Sequence, residues 1–504
     1  MNDTFSSTVF YSFIKAIDGG GYFFLNSDIE RFQKHQYNID DQIKARTSTF
    51  FDEVAQVYKL RLTSADSILD VLEKETFNFK QKEVLSYHPD HYPDNVNTVI
   101  ELKERWRKWI QYSILEELFN GDYFDSAIGE STESLMSKIH LAEEEVFAYE
   151  HFAIEVYLKN PSGYETELST FYLDAIATTY DPHTSYFSGV QKEEFIEELS
   201  EEKKMFGFSV EEDDKGIIRI YDLVPGSAAW NSNQLNKGDE ILSVTLGDGK
   251  SIDMQTSKVS DLMLLMSSSK SEELTLEIKK GNGEVLEVEL KKSEVYIAED
   301  AIQNAILNGD KKIGYITLPD FYTNWDDDGG LGCANDVART IVKIQKENIS
   351  GLILDLRNNG GGSLLEAIDL AGIFIDWGPL AIVHDKNGEA TSIKDMNKGA
   401  IYTGPLVILV NGLSASASEI ITAALQDYNR AIVIGSPTYG KATSQIILPL
   451  DPDFIYGVSD INKSDESFGH LKITIGGFYR ITNSSHQRSG IIPDIIMPDF
   501  YDIY

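Results

Sequence analysis

The sequence has almost no cysteine and no excess of positive charge. Cys333 is the single cysteine among 504 residues, so an intrachain disulfide is excluded, and its thiol is interpreted as buried and chemically idle. Lysine and arginine total 44 against 81 acidic residues, which gives a formal net charge of −37. Binding to nucleic acids and electrostatic docking to anionic lipid both require a basic footprint, so the composition argues against both.

Long apolar runs and a metal-ligand set are also missing. No segment reaches the roughly 18 consecutive apolar residues of a membrane span. Residues Met1–Thr4 lack a basic stretch followed by an apolar core, so no signal peptide is visible. Either the protein is cytoplasmic or the chain begins after a removed signal. The histidines of His88-Pro89-Asp90-His91 have no further ligands nearby, so a loop is favoured and neither a metal nor another cofactor is expected.

The pattern of apolar and polar residues changes twice along the chain, which predicts three domains in a multidomain α+β protein. Residues 1–200 show apolar residues at helical spacing between charged faces and are predicted to be mainly helical. Residues 202–292 contain short alternating strands. Residues 294–504 alternate apolar strands with helices and read as an α/β domain.

The stretch from Gly404 to Gln445 contains the candidate catalytic residues. A buried strand is predicted at Leu406–Val410, followed by a turn, a run of serines alternating with alanines, and an apolar helix. The start of a helix offers unbonded N–H groups and a positive dipole end, which suit an oxyanion. Ser416, with small neighbours at this helix start, is the candidate nucleophile.

A structural interpretation of Ser416 competes with the catalytic one. Ser416 to Glu419 also matches the S-x-x-E capping box, a common device at helix starts. Lys441 favours catalysis, because a desolvated lysine after an apolar strand can serve as a general base for a serine. Gln445 lies four residues on, where its amide would orient the Lys441 amine.

The segment from Leu409 to Gln445 resembles the active-site stretch of the carboxyl-terminal processing peptidases, or tail-specific proteases. The resemblance implies that Ser416 is the nucleophile, Lys441 the base and Gln445 the orienting residue. Ala442 stands where many members have glycine. The resemblance also implies a catalytic core of the crotonase/ClpP-like α/β type.

The region 202–292 looks like a PDZ domain in the circularly shifted strand order of bacterial proteases. Its carboxylate-binding loop is predicted at Phe206-Gly207-Phe208, where a peptide tail would add as an extra strand. The side chains predicted to line its groove are Phe208, Val210, Leu262 and Met266, although core packing explains each of them equally well.

A glycine-rich turn follows the predicted strand Leu352–Arg357. It lacks the lysine and the spacing of a phosphate-binding loop. It is similar to the D-L-R-x-N-x-G-G motif of the same family, which implies an oxyanion hole shared with the Ala417 N–H. Gly360 and Gly361 are the predicted donors.

Together these features predict a serine endopeptidase that holds the nonpolar C-terminal tail of a protein substrate in its PDZ domain. Glu419 and Asp427 are interpreted as structural residues, because a neutral Lys441 requires a site without a close carboxylate. The resemblance implies a cell-envelope setting, often periplasmic, and in some members a lipoprotein adaptor. The sequence does not indicate the oligomeric state. Two rivals stay open: an inactive PDZ scaffold on a peptidase-like fold, and a small-molecule acyl hydrolase or hydratase.

Overall fold

The structure is a computed structural model of the chain. It describes residues 1–80, 83–85, 94–120, 132–159, 163–198, 200, 202–212, 217–257, 259–267, 271–296, 302–323, 332–385, 387–455 and 468–499. The sequence His88–His91, predicted to be a loop, lies outside the described residues. Within the described part, no helix has the length and apolar character needed to cross a membrane.

The described chain forms two compact units. The first comprises residues 1–182 and 257–270, and the second comprises residues 183–256 and 271–504. The helices, numbered along the chain, are α1 (Asp3–Asp18), α2 (Asn26–Phe32), α3 (Ile39–Ala45), α4 (Thr49–Leu72), α5 (Val99–Asn120), α6 (Thr132–Leu158), α7 (Tyr164–Thr178), α8 (Gly189–Glu198), α9 (Ala228–Asn231), α10 (Val259–Ser267), α11 (Cys333–Gln345), α12 (Leu364–Gly372), α13 (Ala417–Asp427) and α14 (Pro452–Ile455).

The first unit is helical, as the spacing of its apolar residues predicts. In α1 the buried residues Phe5, Val9, Phe13 and Ile17 recur every four positions and form one face. The Asn2 side chain caps this helix by accepting the Phe5 N–H at 3.1 Å. Aromatic rings from several helices share the core, with Phe13 lying edge-on to Phe50 in α4.

The strands all lie in the second unit. They are β1 (Ser185–Phe187), β2 (Glu202–Met205), β3 (Phe208–Glu212), β4 (Ile218–Leu223), β5 (Glu240–Leu246), β6 (Ser251–Asp253), β7 (Glu273–Lys279), β8 (Val285–Lys291), β9 (Ser293–Tyr296), β10 (Gln303–Asn308), β11 (Lys312–Thr317), β12 (Gly351–Asp355), β13 (Gly378–Asp385), β14 (Ala390–Asp395), β15 (Leu406–Val410), β16 (Ile432–Gly435), β17 (Thr443–Pro449), β18 (His470–Tyr479) and β19 (Ile495–Ile496).

The first large sheet of this unit is antiparallel and lies in the predicted PDZ region. Its strand order is β3-β4-β5-β7-β8, with β6 added to β5. Alternating residues of β5 and β7 are buried, among them Val244, Leu276 and Ile278. Strand β3 is an edge strand, so one side of its backbone has no partner within this sheet.

The second large sheet carries the site. Its order is β10-β11-β12-β15-β16-β19, and all of its neighbours after β11 are parallel. The central strands are short apolar runs, and α13, which is buried over almost its whole surface, follows β15. A third, antiparallel sheet has the order β1-β18-β13-β14, with β17 also paired to β18.

The predicted α/β character of the C-terminal region is confirmed. Strand β18 runs unbroken through Gly476 and Gly477. The β13–β14 hairpin was not predicted. Its partner β18 lies about a hundred residues away in sequence, and a pairing of that range leaves no local pattern.

Candidate active site

Three loops meet at the carboxyl ends of neighbouring parallel strands. Strands β12, β15 and β16 are adjacent, with Leu354 paired to Ile408 and Ile408 paired to Val433. The glycine-rich turn follows β12, Ser416 follows β15, and Lys441 follows β16. Since the carboxyl ends of parallel strands face the same way, the sheet brings these three loops to one edge.

Ser416 has an unusual backbone conformation. Its φ and ψ are 54° and −112°, a region that residues other than glycine rarely occupy. It stands at the start of α13, whose first N–H groups point toward the residue that precedes the helix. A strained serine on a sharp turn from a strand into a helix is the geometry that exposes a hydroxyl for nucleophilic attack.

The two neighbouring serines of the run have structural roles. Ser414 donates its hydroxyl to the Leu356 carbonyl at 2.7 Å, and Ser418 donates to the Asn359 carbonyl at 3.0 Å. Both are fully buried. Ser416 and Glu419 form the predicted capping box, in which the Ser416 N–H donates to Glu419 at 2.9 Å and the Glu419 N–H donates to the Ser416 main-chain oxygen at 2.9 Å. The capping prediction is confirmed, and because Ser416 also lines a cavity, capping does not exclude the catalytic interpretation.

One buried carboxylate connects the segments that carry Ser416 and Lys441. Glu419 is 0% exposed, and one of its oxygens accepts the main-chain N–H groups of Ser416 at 2.9 Å and Lys441 at 2.8 Å. The other accepts the Gly440 N–H at 2.7 Å and the Thr438 hydroxyl at 2.6 Å. Such charge-assisted bonds are the stronger kind, so Glu419 fixes the two segments relative to each other.

Ser416 and Lys441 line the same cavity, whose volume is about 730 Å³. Gln445 lines it too, at a bulge between β17 and β18. The Gln445 Nε2 donates to the hydroxyls of Thr443 at 2.8 Å and Thr474 at 3.1 Å. The amide is therefore held in one orientation. Apolar side chains make up much of the wall, including Phe195, Ile196, Leu364, Leu365, Ile420, Ile447 and Phe478.

The glycine-rich turn lies against Ser416. A Cβ atom on Gly361 would lie 2.8 Å from the Ser416 Cβ and 3.1 Å from the Ala417 nitrogen. The Gly361 N–H, however, donates to the Asn359 side-chain oxygen at 2.9 Å. Gly360 is exposed, and a Cβ there would meet nothing within 4 Å. Of the two predicted donors, Gly360 has the N–H that the described residues leave without an acceptor.

The predicted carboxylate-binding loop has its own constraint. Gly207 has φ +82°, and a Cβ there would lie 2.0 Å from the Ser227 Cβ. The carbonyl oxygens of Phe206 and Gly207 accept the N–H groups of Ala229 at 2.8 Å and Val224 at 2.9 Å. Phe208 and Val210 follow on the edge strand β3. Leu262 and Met266 lie on α10, which belongs to the first unit, so the groove formed by both sets stays a prediction.

Other acidic and thiol groups behave as the sequence suggests. Asp427 forms an ion pair with Arg480 rather than with a residue of the cavity. Cys333 is buried, and burial, followed by the nearby Glu366 carboxylate, raises the pKa of its thiol well above the usual value. A thiol in that state is a poor nucleophile.

Sequence reasoning missed three residues that support the site. Asn359 donates its amide N–H to Leu318, Thr438 joins Glu419 to the Ile491 N–H, and Gln487 accepts the Ala442 N–H at 2.6 Å. The glycines that follow Asn359 indicate its role, because a buried asparagine beside glycines often holds a turn. Gln487 is 46 residues from Lys441, and no local pattern would have identified it.

Comparisons with known proteins agree along the whole chain. Residues 312–497 match peptidase family S41, residues 1–189 match the tail specific protease N-terminal domain, and residues 195–279 match the PDZ domain. A tail-specific protease of Haemophilus influenzae is 30% identical over 507 residues, which cover 100% of this chain and 68% of that protein. A carboxy-terminal-processing protease of Bartonella bacilliformis is 28% identical over 66% of this chain and 71% of its own. Among solved structures, a photosystem II D1 C-terminal processing protease aligns with 77% of this chain and 93% of its own, at 20% identity and a TM-score of 0.37.

Proposed function

Because the chain belongs to peptidase family S41, the serine peptidases that include the tail-specific and carboxyl-terminal-processing proteases, we propose that it cleaves peptide bonds with Ser416 and Lys441. The observation that carries this proposal is the shared cavity. Ser416, in a strained turn at a helix start, and Lys441 both line it, and Glu419 bonds to the main chains of both.

In the proposed reaction, the neutral Lys441 amine takes the proton of the Ser416 hydroxyl while the oxygen attacks the peptide carbonyl carbon. The Lys441 ammonium then gives that proton to the leaving nitrogen, and the C–N bond breaks. A water molecule, deprotonated by Lys441 in turn, hydrolyses the acyl-enzyme and restores Ser416. No second residue has to take up the proton in either step.

The developing oxyanion would accept hydrogen bonds from the Ala417 and Gly360 N–H groups. Ala417 is the first residue of α13, so its N–H lies outside the helix ladder. Gly360 is favoured over Gly361, whose N–H is held by Asn359 in this conformation. Two donors of this kind typically contribute several kcal/mol to the transition state.

Gln445 is the proposed orienting residue for the Lys441 amine. Both threonine contacts use its amide nitrogen, so the carbonyl oxygen of the same amide is left to accept from an ammonium or amine. Asp320 is the only acid among the described residues that line the cavity.

We also propose that the PDZ domain selects substrates by their C-terminal tails. The edge strand β3 offers an open backbone side for a peptide strand, and Phe206-Gly207-Phe208 precedes it. Phe208 and Val210 on this strand would favour nonpolar tails. The domain limits 1–200, 202–292 and 294–504 belong to this proposal.

The proposed setting is the cell envelope, with the periplasm as the compartment in a bacterium. Substrates would be proteins with nonpolar C-terminal tails, and a lipoprotein adaptor would deliver some of them. Neither a metal nor a cofactor takes part in the proposed steps.

The test is proteolysis of a folded test protein with a nonpolar C-terminal tail, followed by mass spectrometry of the fragments. Ser416→Ala and Lys441→Ala should each abolish cleavage while circular dichroism stays unchanged. The matched controls are Ser392→Ala and Lys394→Ala, on the exposed strand β14, which should cleave normally. Normal turnover by Lys441→Ala would refute the dyad.

A serine-directed fluorophosphonate separates a working enzyme from an inactive scaffold. We expect labelling of the wild type and none of Ser416→Ala. Removal of the last residues of the test protein should reduce its cleavage, which a small-molecule acyl hydrolase would not require.

A further inference from the structure

The side chain of His486 is buried, and its imidazole has no hydrogen-bond partner among the described residues. It is 3% exposed, and neither its Nδ1 nor its Nε2 is bonded. A neutral imidazole has one donor and one acceptor, and leaving such a group unsatisfied in a protein interior costs about 1–3 kcal/mol. An apolar residue of similar size would avoid that cost, so packing alone does not explain a histidine here.

The segment that carries His486, residues 483–491, holds the turn around Lys441 from both sides. The Arg488 N–H donates to the Gly440 carbonyl at 2.8 Å, and the Ala442 N–H donates to the Gln487 side chain at 2.6 Å. At its end, the Ile491 N–H donates to the Thr438 hydroxyl at 2.6 Å, and that hydroxyl donates to Glu419. His486 therefore lies in the segment whose hydrogen bonds hold the turn around Lys441, the proposed base.

Two charged groups act on His486. Burial lowers the pKa of its imidazole below the usual 6.5, the Glu419 carboxylate on α13 opposes that effect, and Arg480, which follows β18, adds to it. Arg480 is itself paired with Asp427. Within residues 438–442 and 483–491 themselves, the charged residues are Lys441 and Arg488. Near neutral pH the imidazole is therefore uncharged.

We propose that His486 is an acid-sensitive switch that acts on the active site through residues 483–491. While His486 is neutral, this segment holds the turn around Lys441. Once protonated, the buried imidazolium has to gain a partner, so the segment shifts and loosens that turn. This inference rests on the proposed function, because it takes Ser416 and Lys441 as the reacting pair.

The count of hydrogen bonds explains why the Glu419 carboxylate cannot take up the new charge without a rearrangement. Glu419 already accepts three main-chain N–H groups and one hydroxyl, which occupy the roughly four acceptor positions of a carboxylate. One added proton, bound from solvent at either ring nitrogen, creates a buried N–H donor with a positive charge. That donor has to displace one of the existing bonds, since a buried charge without a partner is too costly.

The switch makes a specific prediction about proton number. Lys441 has to lose one proton to act as the base, so acid inhibits by one proton in any case. Protonation of His486 adds a second and independent inhibitory proton. At pH values below both transitions, kcat/KM of the wild type should fall about hundredfold per pH unit, instead of about tenfold for Lys441 alone.

The experiment compares kcat/KM from pH 5 to 9 for the wild type and His486→Leu, with a tailed test protein as substrate. Leucine has a similar volume and does not titrate. Above neutral pH, the kcat/KM of the variant should match that of the wild type. At acid pH, its kcat/KM should lack the steeper decline of the wild type. His384→Gln, a half-buried histidine on β13, is the matched control and should keep the wild-type profile. Circular dichroism at each pH checks folding, and His486→Gln replaces His486→Leu if the latter does not fold.

A second measurement follows the protonation of His486 by NMR, without substrate turnover. The imidazole signal that His486→Leu removes from the NMR spectrum should titrate below pH 6.5, in step with the second proton of the activity profile. This inference would be overturned if kcat/KM fell with the same slope at acid pH in the wild type and in His486→Leu. It would also be overturned if the His486 signal titrated without any change in the slope of the wild-type kcat/KM profile. Retained cleavage by Ser416→Ala or Lys441→Ala would instead reject the proposed function, so the two failures are distinguishable.

Discussion

Glu419 accepts the main-chain N–H of Lys441 at 2.8 Å from a fully buried position on α13. Replacing Glu419 with glutamine keeps its shape but turns one oxygen into a donor, which faces other donors. Loss of two charge-assisted bonds should destabilise the protein by about 3 kcal/mol. Misplacement of the two segments should lower kcat/KM by about a hundredfold or more.

The matched control for this prediction is Glu366→Gln. Glu366 is also buried and accepts the Ala334 N–H at 2.9 Å, but it does not line the cavity. We expect a comparable loss of stability with kcat/KM within about twofold of the wild type, measured below both melting temperatures. Equal losses of activity in the two variants would mean that Glu419 acts through stability alone.

Gly361→Ala should inactivate the enzyme while Gly360→Ala should not. The added methyl of the first variant would lie 2.8 Å from the Ser416 Cβ, at a φ of +109° that disfavours any side chain. At Gly360 the methyl meets nothing within 4 Å, and the N–H is kept. Fluorophosphonate labelling rates would report the difference, and similar rates in both variants would contradict the placement of the turn.

Ser416→Gly should be more stable than Ser416→Ala, although we expect neither variant to cleave substrate. A side chain at φ 54° and ψ −112° costs of order 1–3 kcal/mol, and glycine relieves that strain. After allowance for the greater chain entropy of unfolded glycine, we expect a net gain of about 1 kcal/mol in denaturant unfolding. A glycine variant no more stable than the alanine variant would show that no strain is stored at this residue.

Gly207→Ala should abolish tail selection and spare the chemistry. Its methyl would lie 2.0 Å from the Ser227 Cβ, so the loop before β3 would have to move. Gly226→Ala is the control, because it has a similar φ of +87° with no atom within 4 Å. Cleavage of tailed and untailed substrates by the two variants would be compared. Unchanged preference for the tailed substrate in Gly207→Ala would argue against this loop as the tail receptor.

The first unit should lose stability in acid through Glu53. Partial burial alone would raise the pKa of the Glu53 carboxyl, but hydrogen bonds from Lys34, Arg31 and His35 outweigh it and lower the pKa from 4.5 to about 2. A depressed pKa stabilises the fold above pH 4.5, and that contribution is lost as the pH falls from 4.5 toward 2.

Thermal unfolding at pH 7 and pH 3 would measure this contribution. Glu53→Gln should unfold at a lower temperature than the wild type at pH 7, and the gap should narrow at pH 3. A gap of equal size at both pH values would contradict the assignment.

The sequence predicts the elements of the catalytic region better than their assembly. Leu406–Val410 is predicted to the residue, because a short apolar run between turn signals has one simple interpretation. The family, the fold class and the peptidase activity predicted from the motif around Ser416 are confirmed by the matches along the chain. The catalytic roles of Ser416, Lys441 and Gln445 stay predictions.

The supporting contacts could not be predicted, because they join residues far apart in sequence. Glu419 was interpreted as a helix-start residue, which is correct but incomplete, since its bonds to Gly440 and Lys441 depend on how the strand after α13 returns. Likewise, the Asn359 bond that occupies the Gly361 N–H depends on the backbone course of the turn. Local patterns record which residues can make such bonds, and only the fold decides which bonds form.

Lys441 lies in the loop that joins two sheets. It follows β16 of the parallel sheet, which also leads into Ser416 through β15, and it precedes β17 of the antiparallel sheet. Any shift of one sheet against the other would therefore strain the hydrogen bonds that join both segments to Glu419. The alignment of the two sheets at this loop thus depends on a buried side chain as well as on the covalent chain.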